Sequence, residues 1–549
     1  MATVETIDFD QVFGEIAERL RKDKERRIKP PLVRLWDGDW NYVGEVHREI
    51  SAKFTLPENE TGVGIIELPA HYYLSKWLTA HDERDTANVF ITVDKDGARW
   101  SGMLDDLELY KDETGRRVVK ASFKSDFEHL KHIIAYSNPF LPPEVQFPRL
   151  WILFGPAKWA LKLTLFVNLL RLEANLWTLP DDPLDPSQWF NLNQSTWSQV
   201  VAPTPIGTDH SQFAIVHSRF KYMFDVQKRI TADAQLTWEP RRYLDGDPPP
   251  WPGANLRHGC LVWDLVDNSG WDTETAIGGD IFSGLTRGFT SIAGDGKTQT
   301  LNTIPDPTFP PEYSIPGWHG TVARAPGIIL RDGERTGIQS NSFHWKPATD
   351  TEFVTGGHSM PGVNELISAA INMVGDLIAA ALFIPPVGGM LDALLKPLYT
   401  DVFLAFMKWQ DIPRAQRLGW SHYHETWCDG SDRAYTLSAL IALRTGMWRT
   451  REQTTHTVTV ADGVENLRIG QRGRGNAWLG TTIGTTVRDW GKPGRVYVDR
   501  ITELVLAWDR STTPAWTITV GHREPEDPVA KALEMLQDVM SIARDLGVL

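Results

Sequence analysis

Apolar and polar positions follow several different periods along this chain, and each period predicts its own kind of element. Between Asp10 and Ile28, Val12, Phe13, Ile16 and Leu20 fall on one helical face; the second half, RLRKDKERRIK, is a mixed-charge face, and Pro30-Pro31 ends the helix. From Leu32 to Asp126 the pattern becomes that of strands. Val33 to Trp36 precedes a turn at Asp37-Gly38, and Val89–Val93 and Trp100–Leu104 flank the turn Asp94-Lys95-Asp96-Gly97. After Leu107–Tyr110 and a turn at 111–115, Val119, Ala121 and Phe123 alternate with Lys120, Ser122 and Lys124. Short strands joined by tight turns predict a small barrel or sandwich.

Lys158 to Asn175 reads as a helix, with Trp159, Leu163, Phe166, Leu170 and Glu173 in one stripe and further apolar residues on the other faces, which predicts burial on most sides. Leu179 to Pro205 is a connection rich in Pro, Asp, Asn and Trp, and Ala214 to Ala232 reads as a second strand-rich patch. Pro240 to Pro361 is crowded with Gly and Pro, yet Trp and Phe recur through it, so it predicts an irregular domain with short strands. A helix is expected around Arg433–Leu443. Strands return from Thr454 to Gly521, where Val458 and Val460 alternate with threonines, as do Trp516, Ile518 and Val520. A last helix starts at Asp527-Pro528, with Val529, Leu533, Leu536, Met540 and Ala543 as a packing seam, either onto the chain's own body or onto another copy.

The segment Leu366–Leu395 stands apart. It is charged only at Asp376 and Asp392, and Pro385-Pro386 and Gly388-Gly389 interrupt it. A spanning helix needs about 20 apolar residues, and the prolines stop this one short of that. Two short apolar helices folded back on each other are expected, with Leu377, Ile378, Leu382, Phe383, Ile384, Pro385, Pro386, Met390 and Leu391 as the candidate residues for burial in an assembly or for membrane contact. A neighbouring domain or subunit buries them, or they meet a membrane after a conformational change, or they receive another protein's apolar segment.

The fold class that follows is α+β and multidomain, with small barrel- or sandwich-like domains bracketing helical and loop-rich insertions. The expected units are a helix at 1–31, a strand domain at 32–150, a helix with mixed insertion at 151–239, an irregular domain at 240–361, an apolar hairpin and helical segment at 362–451, a second strand domain at 452–523 and a helix at 524–549.

With 549 residues the chain exceeds a single core, and a net charge of −14 argues against an outer surface that grips nucleic acid. An acidic wall would still suit a conduit through which DNA passes without sticking. Two distant cysteines exclude a disulfide scaffold. The opening MATVETIDFDQVF lacks the basic start and apolar run of an export signal, which predicts synthesis and folding in a cytoplasm. The 23 tryptophans predict core plugs in several small domains, or extended contact surfaces.

Candidate chemistry is sparse. His422, His424, Glu425 and Cys428 include zinc-donor types at a spacing that matches no standard site, and His129 and His132 lack a third ligand. Gly470-Gln471-Arg472-Gly473-Arg474-Gly475 fails the spacing of a phosphate-binding loop and reads as a glycine-rich turn between strands. No catalytic, cofactor or metal residue is assigned.

Several longer runs carry a resemblance. Phe154-Gly155-Pro156-Ala157-Lys158-Trp159-Ala160-Leu161-Lys162 with Asn168–Leu172, Pro397–Asp401, Ala415–Trp427 with Asp432–Ser438, Val496–Glu503 and Glu524–Pro528 resemble minor tail proteins of long, noncontractile-tailed phages of actinobacteria. The resemblance runs from about residue 33 to the end of the chain. It implies a virion structural protein without catalytic activity: a homotrimeric tail-tip, or baseplate, hub in which each copy gives two strand domains to a ring that meets a sixfold tube. The hub would close the tube and open for DNA ejection into the host. The implied partners are its own copies, the distal tail protein ring, the tape-measure protein and other minor tail proteins, with the host envelope or membrane beyond. Two other classes stay open, a tail-associated cell-wall hydrolase and a carbohydrate- or receptor-binding tail protein.

Overall fold

The computed structural model describes residues 9–113, 115–209, 211, 213–269, 290–292, 299–301, 313–314, 326–333, 338–358, 405–429, 437–460 and 467–521. The apolar residues Leu377 to Leu391 and the seam Val529 to Ala543 lie outside the described residues.

The strand patterns at the two ends of the chain meet in one sheet. In the first, β1 (Leu32–Trp36), β2 (Tyr42–Glu45), β3 (Ser51–Pro57), β4 (Val63–Pro69), β5 (Phe90–Lys95), β6 (Ala98–Lys111) and β7 (Arg117–Ser125) run in the order β2-β1-β5-β6-β7-β4-β3. The sheet then continues through Val496–Asp509, Ala515–Val520, Gln453–Val460 and Ile338–Lys346. Every pairing along this path is antiparallel.

The link is β3 against Val496–Asp509, in a register that sets Phe54 opposite Leu506 and Ala52 opposite Trp508. Phe54 is fully buried there between Trp100, at 5.0 Å between ring centroids, and Trp508, at 5.8 Å. One core accordingly includes Val33, Leu35, Ile66 and Phe123 from one end of the chain and Val458, Leu504 and Ile518 from the other. Each fully buried large side chain contributes about 1.5–3 kcal/mol relative to exposure.

Local sequence accounts for the strand faces. On β7, Val119, Ala121 and Phe123 are buried while Lys120, Ser122 and Lys124 are half-buried. The two stretches expected on β6, before and after residue 105, form one 14-residue strand whose register shifts between Leu104 and Asp106. That bulge turns the distal half outward, so Leu109 is 55% exposed.

One expectation needs correction. Ala214–Ala232 is not all strand: Phe213–Ser218 is, but Met223–Asp233 is helix α4, because Met223, Val226 and Ile230 form a stripe at helical spacing that turns inward. Helix α3 (Ala157–Glu173) is covered on most sides, as expected: it buries even the polar Lys162, Thr164, Asn168 and Arg171, and the stripe Trp159, Leu163, Phe166, Leu170 and Glu173 is half-buried. Pro156 at the α3 N-cap offers no side-chain acceptor, so distant residues do this work: Lys158 N–H donates to Ser211 Oγ (3.0 Å) and Trp159 N–H to Asp209 Oδ2 (2.7 Å).

The N-terminal helix α1 (Phe9–Ile28) forms as expected, with Phe9 and Phe13 more than 70% exposed, and a short helix α2 (Tyr73–Thr79) lies between β4 and β5. Some of the tryptophans are the expected core plugs. Trp36, Trp100, Trp197, Trp238, Trp263, Trp478, Trp508 and Trp516 are buried, whereas Trp177, Trp189, Trp345, Trp420, Trp427 and Trp490 are exposed.

His456, at the centre of the second strand group, has both ring nitrogens buried without a hydrogen-bond partner, and burial pushes its pKa down to about 4. The unfolded chain therefore takes up a proton below about pH 6.5 that the folded chain refuses until about pH 4. Stability from this residue is present above that window and falls as pH drops through it, by up to about 3 kcal/mol. Urea midpoints at pH 7 and pH 4.5 are expected to converge in His456→Phe relative to the parent chain.

Candidate functional site

The structure gathers charged residues at the place where the first strand group, the insertion after α3 and the second strand group meet. Two buried ion pairs and one arginine shared between two aspartates hold this junction. Arg500 of Val496–Asp509 pairs with Glu58 just after β3, and both side chains are at most 3% exposed. Glu58 also accepts from Thr237 Oγ1 of the insertion at 2.7 Å, and Arg500 Nε donates to the Gly480 carbonyl at 3.1 Å. One carboxylate thus touches all three parts.

Arg242 of the insertion forks onto Asp126 after β7, with Nη2 to Oδ1 at 2.7 Å and Nε to Oδ2 at 3.1 Å. Its guanidinium lies over Trp40 and Phe90, at 4.8 and 5.3 Å from the ring centroids, and meets His129 Nε2 at 3.0 Å. Burial opposes the charge on Asp126, but Arg242 and His129 outweigh it and hold the carboxyl well below the usual range.

Arg99 on β6 is shared between Asp94 on β5, with Nε to Oδ1 at 2.6 Å, and Asp247 of the insertion. Its Nη1 also donates to the Arg242 carbonyl at 2.9 Å. Gln471 then mimics a strand partner for Arg99: its Oε1 accepts from Arg99 N–H (3.1 Å), and its Nε2 donates to the Arg99 carbonyl (2.8 Å).

The loop 470–475 is the glycine-rich turn expected from the sequence. Arg474 N–H donates to the Gln471 carbonyl at 2.8 Å, and Gly473, at φ +77°, occupies the left-handed position of a type II turn. The turn approaches the β5–β6 hairpin so closely that a Cβ on Gly97 would lie 2.0 Å from the Arg474 carbonyl oxygen.

Beside this turn opens a cleft of about 500 Å³, lined by Glu239, Arg241, Arg242, Tyr243, Pro248–Pro250, Asp264, Arg468 and Arg472–Arg474 among others. Glu239 Oε2 accepts from Arg472 N–H at 3.0 Å, and burial pushes the Glu239 carboxyl up to about 7. Burial, with the Arg99 and Arg474 cations, lowers Arg241 to about 9, still cationic at neutral pH.

The sequence candidates are placed differently. His422 and His424 lie with ring centroids 5.0 Å apart, but Glu425 is held by Lys408 at 2.8 Å. Cys428 is buried in the cluster of Phe353, Ala442, Leu443 and Met447, where burial pushes its thiol up to about 11. No group of three metal-type ligands occurs among the described residues. His129 belongs to the Arg242–Asp126 cluster, while His132 is exposed. Among the described residues no helix is long and apolar enough to cross a membrane. Sequence reasoning missed Glu58, Arg99, Asp126, Arg241, Arg242, Asp247 and Arg500, because charged residues look alike until their distant partners are known.

Removing Glu58 leaves Arg500 charged and buried, so Glu58→Ala is expected to cost about 3–5 kcal/mol in guanidinium unfolding. Gly97→Ala drives a methyl into the Arg474 carbonyl and is expected to cost about 1–3 kcal/mol, read as a lower unfolding midpoint.

Residues 32–522 match the family model described as Siphovirus ReqiPepy6 Gp37-like protein. The chain is similar to the minor tail proteins Gp28 of Mycobacterium phage L5 and of Mycobacterium phage D29, each 39% identical with 98% of both chains covered. Among solved structures it is similar to the tail protein from Neisseria meningitidis MC58, at 9% identity and a TM-score of 0.38 over 91% of this chain and 99% of that one, a likeness too remote to carry an argument.

Proposed function

The chain belongs to the Siphovirus ReqiPepy6 Gp37-like family, and from that premise we propose that it is the hub at the tail tip, closing the tail tube and opening for DNA ejection. It is a minor tail protein, a structural component of the phage tail. In our reading it acts by closure and switching of an assembly and not by bond chemistry.

The observation that carries the reading is the β3 pairing with Val496–Asp509. It makes two strand groups from opposite ends of the chain into one continuous unit, which the buried Arg500–Glu58 pair reinforces, and the Arg99–Asp247 and Arg242–Asp126 pairs brace that unit against the insertion. Three copies of such a unit present six strand groups, which suits a ring below a sixfold tube. The partners in this scheme are two further copies, the distal tail ring, the tape-measure protein and other minor tail proteins, with DNA passing through unbound. Assembly follows synthesis in the host cytoplasm.

The apolar residues Leu377, Ile378, Leu382, Phe383, Ile384, Pro385, Pro386, Met390 and Leu391 are assigned in this proposal to the plug or to membrane contact. Val529, Leu533, Leu536, Met540 and Ala543 are assigned to a packing seam.

Virion imaging tests the scheme. Density for this chain is expected on the tail axis with threefold symmetry, and the purified hub is expected near three times 61.9 kDa by light scattering. A peripheral position in the virion, or clearing of host cell walls in a zymogram by the purified chain, would overturn the reading.

A further inference from the structure

The cleft beside the 470–475 turn contains more positive charge than its own carboxylates neutralise. Of the acids on its walls, Asp247 is engaged by Arg99 and Asp264 by Lys162, the latter at 2.6 Å. Glu239 is 8% exposed, and burial raises its carboxyl into the neutral range, so much of its charge is absent at pH 7. Arg242 is satisfied by Asp126.

Arg241, Arg472 and Arg474 have no carboxylate within ion-pair distance among the described residues. The Arg241 Nε is buried without a hydrogen-bond partner, although Nη1 is held by Gln471 Oε1 at 2.5 Å. That contact fixes the guanidinium in place and leaves part of its donor fork unused. In a chain of net charge −14, an unneutralised cluster of guanidinium groups inside a concave site is out of keeping with the rest of the surface.

We propose that this cleft is a binding site for a phosphorylated small molecule, with Arg241 on one wall and Arg472 and Arg474 on the other gripping the phosphate oxygens. Guanidinium forks from two walls suit a tetrahedral anion with three free oxygens better than a planar carboxylate with two. The volume of about 500 Å³ exceeds what a lone phosphate fills and falls in the range of small-molecule sites. Pro248, Pro249, Pro250 and Tyr243 supply an apolar wall for the rest of the ligand. Because Arg241 comes from the insertion and the turn from the second strand group, a bound ligand ties the two together. The assignment is independent of the hub reading.

Calorimetry on the full chain at fixed ionic strength tests it, with inorganic pyrophosphate as probe and citrate and a short oligothymidylate as comparisons. Pyrophosphate is expected to saturate one site and to raise the unfolding temperature. The double variant Arg472→Ala/Arg474→Ala, altered only on a surface turn, is expected to bind about tenfold or more weakly while unfolding at the parent temperature without ligand. Arg417→Ala, distant from the cleft, is expected to bind as the parent does. Absence of pyrophosphate binding, equal binding by the double variant, citrate binding as tightly as pyrophosphate, or binding of the oligonucleotide alone would each overturn the proposal.

Discussion

Backbone pairing of Ser51–Pro57 with Glu503–Asp509 governs how this fold is put together. Side-chain contacts alone could join two strand groups loosely. A hydrogen-bonded ladder fixes their register to the residue, because a slip by one position would turn Phe54 and Leu506 out of the core. The pairing also removes two sheet edges that would otherwise offer unpaired N–H and C=O groups to other chains. One core and one continuous sheet are consequences of that ladder.

The charged junction specifies geometry in a different way. Buried ion pairs are poor sources of net stability, because desolvation offsets most of the attraction. They are strict about partners, however, and Glu58, Asp126 and Asp247 each link the insertion to a strand group. An apolar junction would tolerate small rotations of the insertion, whereas a guanidinium fork held by two carboxylate oxygens does not. For a structural component of a tail, such intolerance is useful.

What the sequence revealed follows from how local each signal is. The β7 alternation and the Pro30-Pro31 stop of α1 were legible because solvent on one side, or a missing N–H, acts within a few residues. The family resemblance was legible for a similar reason, since runs such as Phe154–Lys162 are contiguous, and the tail-protein identity it implied agrees with the relatives. Helix α4 was misread because β-branched Val226, Ile230 and Thr231 favour strands until the partners of its inward stripe are known. In α3, burial of Lys162 depends on Asp264, 102 residues away. The assigned plug and seam residues lie outside the described residues, so the structure neither places nor displaces them.

The joint also sets a timetable. Glu58 and Arg500 are 442 residues apart, so a ribosome adding about 5–20 residues per second leaves β3 without its neighbour for roughly 20–90 s. During that interval the nascent chain displays an open strand edge beside others emerging from the same message. An early strand that waits this long for its mate can be captured by the late strand of another copy. The order of translation therefore makes a tangle between neighbouring copies the hazard that folding of this chain has to outrun.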